Sequence, residues 1–356
     1  MKSKYKTKNK ILLAILIFNV IIFLGLIYFL SPVSNSDKTV TFEVEKGEGM
    51  KDIAKNLKQA NLIKSEYFFW GYTFLHDKRK IYAATYKLKK NMSLKEIVNT
   101  LSDGGKNSNE YTLIFKEGIN MNGVAKEIAN NTNNRTADIY NTANNSKYVD
   151  SLIAKYWFLT NDVKNNNIYY DLEGYLFPDS YNYLSKSVTV EEIFNDMVKR
   201  LDEKLAPYKT QIEKDKRSVH EILTMASILE LEATDKSSRK DVAGVFYNRI
   251  KKNMPLGSDV TTYYGAKKEM NSDLTETELN SSNGYNTRNV YMKGKLPVGP
   301  ICNPGIESIE AAINPAKHDY YYFVADKNGK VYLAKTHDEH EKIIKDLKTK
   351  GLWLEW

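Results

Sequence analysis

The sequence predicts an α+β protein carried on an N-terminal transmembrane helix, and three observations predict it. Residues Ile11–Leu30 (ILLAILIFNVIIFLGLIYFL) form a run of twenty without a charge. Between residues 38 and 130 a short alternating strand, a turn and an amphipathic helix recur three times. Beyond residue 147, capped helices alternate with a loop-rich stretch and one hairpin, a mixture that fits neither an all-α nor a regular parallel α/β fold. With 356 residues and 42% hydrophobic composition, the chain is long enough for two or three domains with cores of their own.

Taken in order, residues 1–10 read as a short cytoplasmic tail and 11–30 as the membrane helix. Twenty apolar residues cover about 30 Å of hydrocarbon, and Ser31–Pro32–Val33–Ser34 is a poor cleavage site, which favours an uncleaved anchor in contact with membrane lipid. Lys2, Lys4, Lys6, Lys8 and Lys10 precede the run, and no basic residue follows it until Lys38. The excess of positive charge places the N-terminus in the cytoplasm and the rest of the chain outside the plasma membrane. Those five lysines account for most of the net +8, leaving +3 outside, which gives no case for a nucleic-acid partner. A single cysteine, Cys302, excludes an intramolecular disulfide framework and reads as a small buried residue.

The three strand–helix copies are Val40–Leu57, Ala84–Leu101 and Tyr111–Ala129, with Met50, Met92 and Met121 at equivalent helix starts. Ser93 and Glu96 have capping-box spacing, and Ser65 caps an aromatic helix through Leu75. The first two copies define a module at 38–105. Residues 106–146 form a connecting segment whose Asn-rich part, Asn130–Ser146, reads as an exposed loop or frayed helix. The domain at 147–356 contains a helix capped by Thr189 and Glu192, a charged connector at Lys209–Arg217, and helices at Ser218–Glu232 and Ser238–Asn253. It continues through a loop-rich stretch at Met254–Pro304, a hairpin around Asp326–Gly329 and a last helix capped by Thr336 and Glu339.

The chemistry points to one helix. In SVHEILTMASILELE, Ser218 and Glu221 form a capping box. On a helical wheel started at Ile222, Glu230 falls at about 80°, inside the arc of Leu, Met and Ala, and Glu232 near the edge at about −80°. A carboxyl group there should lose hydration and keep its proton at neutral pH, which would suit a general acid; pairing with an Arg or Lys from elsewhere is the structural alternative. The five histidines lack metal-ligand spacing and no phosphate loop or Ser-His-Asp arrangement is present, so neither a metal nor a cofactor is expected.

Four blocks carry a resemblance: EGYLFPDSYNY (173–183), ASILELEA with VAGVFYNRI (226–233 and 242–250), MPLGSDVTTYYG (254–265), and YNTR with LPVGPICNPGIESIEAAINPA (285–288 and 296–316). Together they resemble the endolytic transglycosylase (MltG, or YceG-like) family, which cleaves the glycan strands of peptidoglycan. The resemblance implies a lyase reaction at the β-1,4 bond between N-acetylmuramic acid and N-acetylglucosamine, leaving a 1,6-anhydromuramoyl end and consuming no water. It places the family's catalytic glutamate on Glu230, with peptidoglycan strands as substrate and peptidoglycan synthases as partners. Where many members have Glu-Lys-Glu, this chain has Glu230–Leu231–Glu232. Tyr285, Asn286 and Thr287 offer a ring and polar groups to a sugar. Glu173, Asp259 and Asn303 are further substrate-binding candidates, each with a turn, cap or loop role as its alternative. The 38–105 module resembles LysM-like glycan-binding units, with a plain spacer as the alternative. Two other functions remain open at this point, a non-enzymatic peptidoglycan-binding scaffold and a muramidase-type hydrolase.

Overall fold

The computed structural model describes residues 16–21, 23–102, 111–183, 186–233 and 235–353. It divides into two compact units, one comprising the chain up to Thr112 with Asn182–Val188, the other Leu113–Tyr181 with Thr189–Trp356.

In the first unit, strand β1 (Thr39–Val44) pairs antiparallel with β2 (Ala84–Lys89), Thr39 opposite Lys89 and Val44 opposite Ala84. Alternation puts Phe42, Val44, Ala84, Tyr86 and Leu88 on the buried face. Helix α1 (Met50–Gln59) closes that face with Ile53, Ala54 and Leu57. Next, α2 (Glu66–Leu75) starts where Ser65 Oγ accepts from the Phe68 N–H. The third helix, α3 (Leu94–Ser102), follows the Ser93–Glu96 box and buries Leu94, Ile97, Val98 and Leu101. Residues 16–21 and 23–30 are helical with exposed apolar side chains. The end of that stretch docks on this unit, where Phe29 stacks on Phe68 at 4.2 Å and Leu30 packs against the core. No helix among the described residues is long and apolar enough to cross a membrane. Residues 11–15 and 22 of the expected span, and the expected tail at 1–10, lie outside the described residues.

The third strand–helix copy forms as expected, β3 (Tyr111–Ile114) followed by α4 (Met121–Asn131), but α4 belongs to the second unit. Strand β3 pairs with β4 (Ser180–Tyr183), and the division between the units falls within both strands. Instead of a connecting loop, the Asn-rich segment supplies α5 (Thr136–Ala143) and the start of α6 (Ser146–Lys155). One of its asparagines acts as a cap: Asn145 Oδ1 accepts from the N–H groups of Lys147 and Tyr148, a local use of a polar side chain that composition alone conceals.

The second unit continues with α7 (Val190–Leu205), behind the Thr189–Glu192 capping box, and with α8 (Lys209–Lys214), a short helix in the expected connector. Then come α9 (Val219–Glu232), α10 (Arg239–Lys251), α11 (Asp259–Gly265), α12 (Glu276–Leu279) and α13 (Ile306–Ile313). Strands β5 (Tyr322–Ala325) and β6 (Val331–Ala334) form the expected antiparallel hairpin before α14 (His337–Thr349). Helix α9 is the hub, packing on α10, α11 and α13. Every residue from Ile222 to Leu229 is buried. That corrects the one-sided wheel: the helix is enclosed on all sides, which its nearly continuous apolar run permits.

Candidate active site

Helix α9 starts at Ser218, whose Oγ accepts from the Glu221 N–H while the Ser218 N–H donates to Glu221 Oε2 at 2.7 Å. Its last turn presents Glu230, Leu231 and Glu232, which point in three directions because each residue advances about 100°. The result is two acidic environments on either side of a leucine.

The side chain of Glu230 is 5% exposed. Its Oε1 accepts from Arg239 Nη2 at 2.8 Å, and its Oε2 accepts from the Gly305 N–H at 2.8 Å. Gly305 is the N-cap of α13, so the carboxyl sits at the positive end of a helix. Arg239 is itself anchored by Nε to the Ala233 carbonyl, and its Nη1 lies 3.7 Å from Glu307 Oε2. The expectation of an isolated carboxyl among Leu, Met and Ala is therefore corrected: a cation and a backbone amide take both oxygens. Glu232 differs. It accepts from Ser258 Oγ at 2.5 Å, and burial pushes its pKa up, opposed by that hydrogen bond.

Glu173 is buried, and among the described residues no cation bonds to its carboxyl. Its Oε2 accepts from the Met121 N–H at 2.9 Å and from the Tyr264 hydroxyl at 3.0 Å; Asn303 Nδ2 lies 3.5 Å from Oε1. Burial pushes its pKa up to about 7, against the pull of those donors. The next residue, Gly174, has φ +84°, and a Cβ there would lie 2.3 Å from Pro300 Cβ, so glycine is required for the two segments to meet.

Asn303 is the knot of this region. Its Oδ1 accepts from the Leu176 N–H at 3.0 Å and its Nδ2 donates to the Ile119 carbonyl at 2.9 Å. Its own backbone bonds both ways with residues 118 and 119. Tyr285, Asn286 and Thr287 are fully buried, unlike the sugar-facing positions expected of them. The Tyr285 hydroxyl accepts from the Tyr169 N–H. Asn286 donates to the carbonyls of Leu279 and Ser281 and accepts from Thr262 Oγ1, and Thr287 Oγ1 meets Thr261 Oγ1 and the Ser258 N–H. Their polar groups are spent on holding α11 and the 279–288 segment in place. Asp259, at the first position of α11, is exposed and paired with Arg288. Cys302 is buried with Sγ directed at the Ser227 carbonyl, and burial raises its thiol pKa well above the ordinary value.

Beside Glu230 lies a cleft of about 290 Å³. Leu231 and Gly118 line it, and a Cβ on Gly118 would be 3.6 Å from Glu230 Cγ. Tyr169, Tyr170, Tyr263 and Tyr264 supply aromatic wall, and Asn120, Asn122, Lys267, Lys268, Glu269 and Asn271 supply polar wall. Sequence reasoning missed Tyr169, Tyr170, Gly118 and Arg239. The paired tyrosines shortly before the Glu173 block were a signal; the other two had none beyond a turn glycine and one arginine among seven.

The fold and the aromatic cleft, with the carboxyl of Glu230 behind Gly118, fit an α+β enzyme of acid–base chemistry. The YceG-like family pattern matches residues 42–346, and the chain belongs to that family. It is 37% identical over 315 residues to a Bacillus subtilis (strain 168) protein named endolytic murein transglycosylase, covering 88% of this chain and 86% of the relative. A Streptococcus pneumoniae (serotype 2, strain D39) protein of the same name is 32% identical over 324 residues, 87% of this chain but 59% of that longer relative. The crystal structure of a yceG-like protein from Listeria monocytogenes superposes with a TM-score of 0.61 at 37% identity, covering 86% of this chain and all of the other.

Proposed function

We propose that this chain is a membrane-anchored endolytic murein transglycosylase that cleaves between N-acetylmuramic acid and N-acetylglucosamine without water. The observation that carries the reading is Glu230, buried at the end of α9 and adjacent to Gly118 in the wall of an aromatic cleft. The names of the relatives support the substrate class.

In this reading Glu230 gives a proton to the glycosidic oxygen as its bond to muramoyl C1 breaks. The C6 hydroxyl oxygen then closes onto C1 and returns its proton to Glu230, so the enzyme ends as it began and the product is an anhydro ring. Since the attacking oxygen belongs to the substrate, one carboxyl is enough, whereas a hydrolase of the usual kind needs two. Arg239, anchored through Nε on the Ala233 carbonyl, fixes the direction of the Glu230 carboxyl and so acts as a positioning residue for the acid step. Buried Tyr285, Asn286, Thr287 and Asn303 support the cleft from behind, and Glu173 holds Tyr264 in its wall.

The βααβα first unit acts as a LysM-like glycan-holding module, and the apolar N-terminal run as an anchor that confines cutting to strands near the synthases. Glu230→Gln should abolish 1,6-anhydromuramoyl ends in the mass spectrum of digested peptidoglycan while the variant still folds by circular dichroism, with a lowered unfolding midpoint because Arg239 loses its buried carboxylate. Anhydro ends lack one water relative to hydrolytic ends, so the spectrum also separates lyase from hydrolase. An unchanged yield of anhydro ends from the folded variant would sink the assignment of Glu230.

A further inference from the structure

We propose that the tyrosine-lined cleft beside Gly118 is the subsite for an acidic N-acetylated sugar unit, with Lys267 Nζ meeting a carboxylate carried on that sugar. The proposal rests on the reading of the chain as a glycan-cleaving enzyme and names which unit of the strand the cleft takes.

The aromatic wall is backed by further aromatic rings. Tyr169 lies 5.7 Å from Tyr264, nearly parallel, and 4.8 Å from Tyr285; Tyr170 stacks on Tyr140 at 5.3 Å. Rings held from behind lose little freedom when a sugar face packs on them. Asn122 Oδ1 accepts from the hydroxyls of Tyr140 and Tyr170, which orients its amide. Its Nδ2 donates to no described residue and is free for an acetamido carbonyl.

A neutral sugar would be served by those groups alone; the cation is the extra feature. Lys267 follows α11 in the left-handed region, φ +54°, and its Nζ sits 4.2 Å from the centroid of the Tyr169 ring. No carboxylate among the described residues pairs with it. Its neighbour Lys268 is spent on Glu278 and the Asp273 carbonyl, and Glu269 is the acidic residue of the lining. An uncommitted ammonium held on an aromatic platform inside a sugar-sized cleft selects an anion attached to a sugar. In murein that anion is either the free lactyl carboxylate of a peptide-free muramoyl unit or a carboxylate of the peptide it bears.

The test uses the full chain in its Glu230→Gln form, so that binding is read without turnover, with Lys267→Met and Lys267→Arg added separately. Three probes are titrated: peptide-free murein strands, peptide-bearing strands and neutral β-1,4-linked N-acetylglucosamine oligomers. Lys267→Met should weaken binding of at least one murein probe about tenfold, with Lys267→Arg restoring most of it and the neutral oligomer unaffected. Loss confined to peptide-free strands identifies the lactyl carboxylate, loss confined to peptide-bearing strands the peptide, and either result supports the subsite. Equal weakening of all three probes, or none at all, would overturn it. If Glu230→Gln itself still cleaves, the assignment of the acid fails, while the effect of Lys267 on binding remains readable.

Discussion

Glu230 and Glu173 are both buried carboxyls in one unit, yet their surroundings have opposite characters. Glu230 is met by a guanidinium and a helix N-terminus, Glu173 by an amide, a phenol and a carboxamide that carry no charge. Burial is common to both, so burial alone does not set what a carboxyl does. The partners differ: a guanidinium pairs with the first carboxyl, whereas the second meets neutral donors only and burial pushes its pKa up to about 7. Glu173 is tied to the segments that carry the cleft wall, while Glu230 lies behind Gly118 at the cleft itself, which makes Glu230 the better candidate for chemistry.

The strongest way to break this comparison is to remove the cation. Arg239→Met should destabilise the protein by about 3–5 kcal/mol in equilibrium denaturation, because an unpaired charge is left buried. Combining it with Glu230→Gln should recover much of that loss, and a single-variant cost below about 1 kcal/mol would mean the pair is not the buried contact described here. Next comes Glu173. It keeps its proton up to about pH 7 in the folded chain against an ordinary value of 4.5, so the native state binds one more proton in that window. Stability contributed by this group is complete below pH 4.5 and falls as pH rises towards 7, by about 3 kcal/mol. Glu173→Gln should flatten that part of the pH–stability curve, whereas a curve that matches wild type would place the titration elsewhere. The smallest effect is expected at Asp259, exposed beside Arg288: Asp259→Ala should change stability by no more than about 0.5 kcal/mol, and a larger loss would give this rim pair a weight the comparison denies it.

What the sequence disclosed follows the reach of its signals. The boxes at Ser93, Thr189, Ser218 and Thr336 were readable because donor and acceptor lie three residues apart, and each forms as expected. The strand–helix copies and the final hairpin were readable from short-range alternation. What escaped depends on contacts between distant segments. Arg239 reaches Glu230 by turning back after α9, and the Gly305 amide comes from 75 residues further along. Asn286 and Thr287 look like binding groups in isolation and prove to be buried ties, because Thr262 and Ser258, more than twenty residues away, fill their hydrogen-bonding capacity. Position in a family block thus located the region, while the exposed surface was made by the tyrosines next to it.

The knot at Asn303 has a consequence for how a polymer could be admitted. One side chain and its peptide group bind residues 118, 119 and 176 at once, so that flank of the opening cannot yield piecemeal. Accommodation of a long strand then falls to the opposite bank, residues 267–271, which follow α11 and are exposed except for the half-buried Lys268. The two margins of the groove are thus built differently, and a threaded chain would meet a tied wall on the Asn303 side.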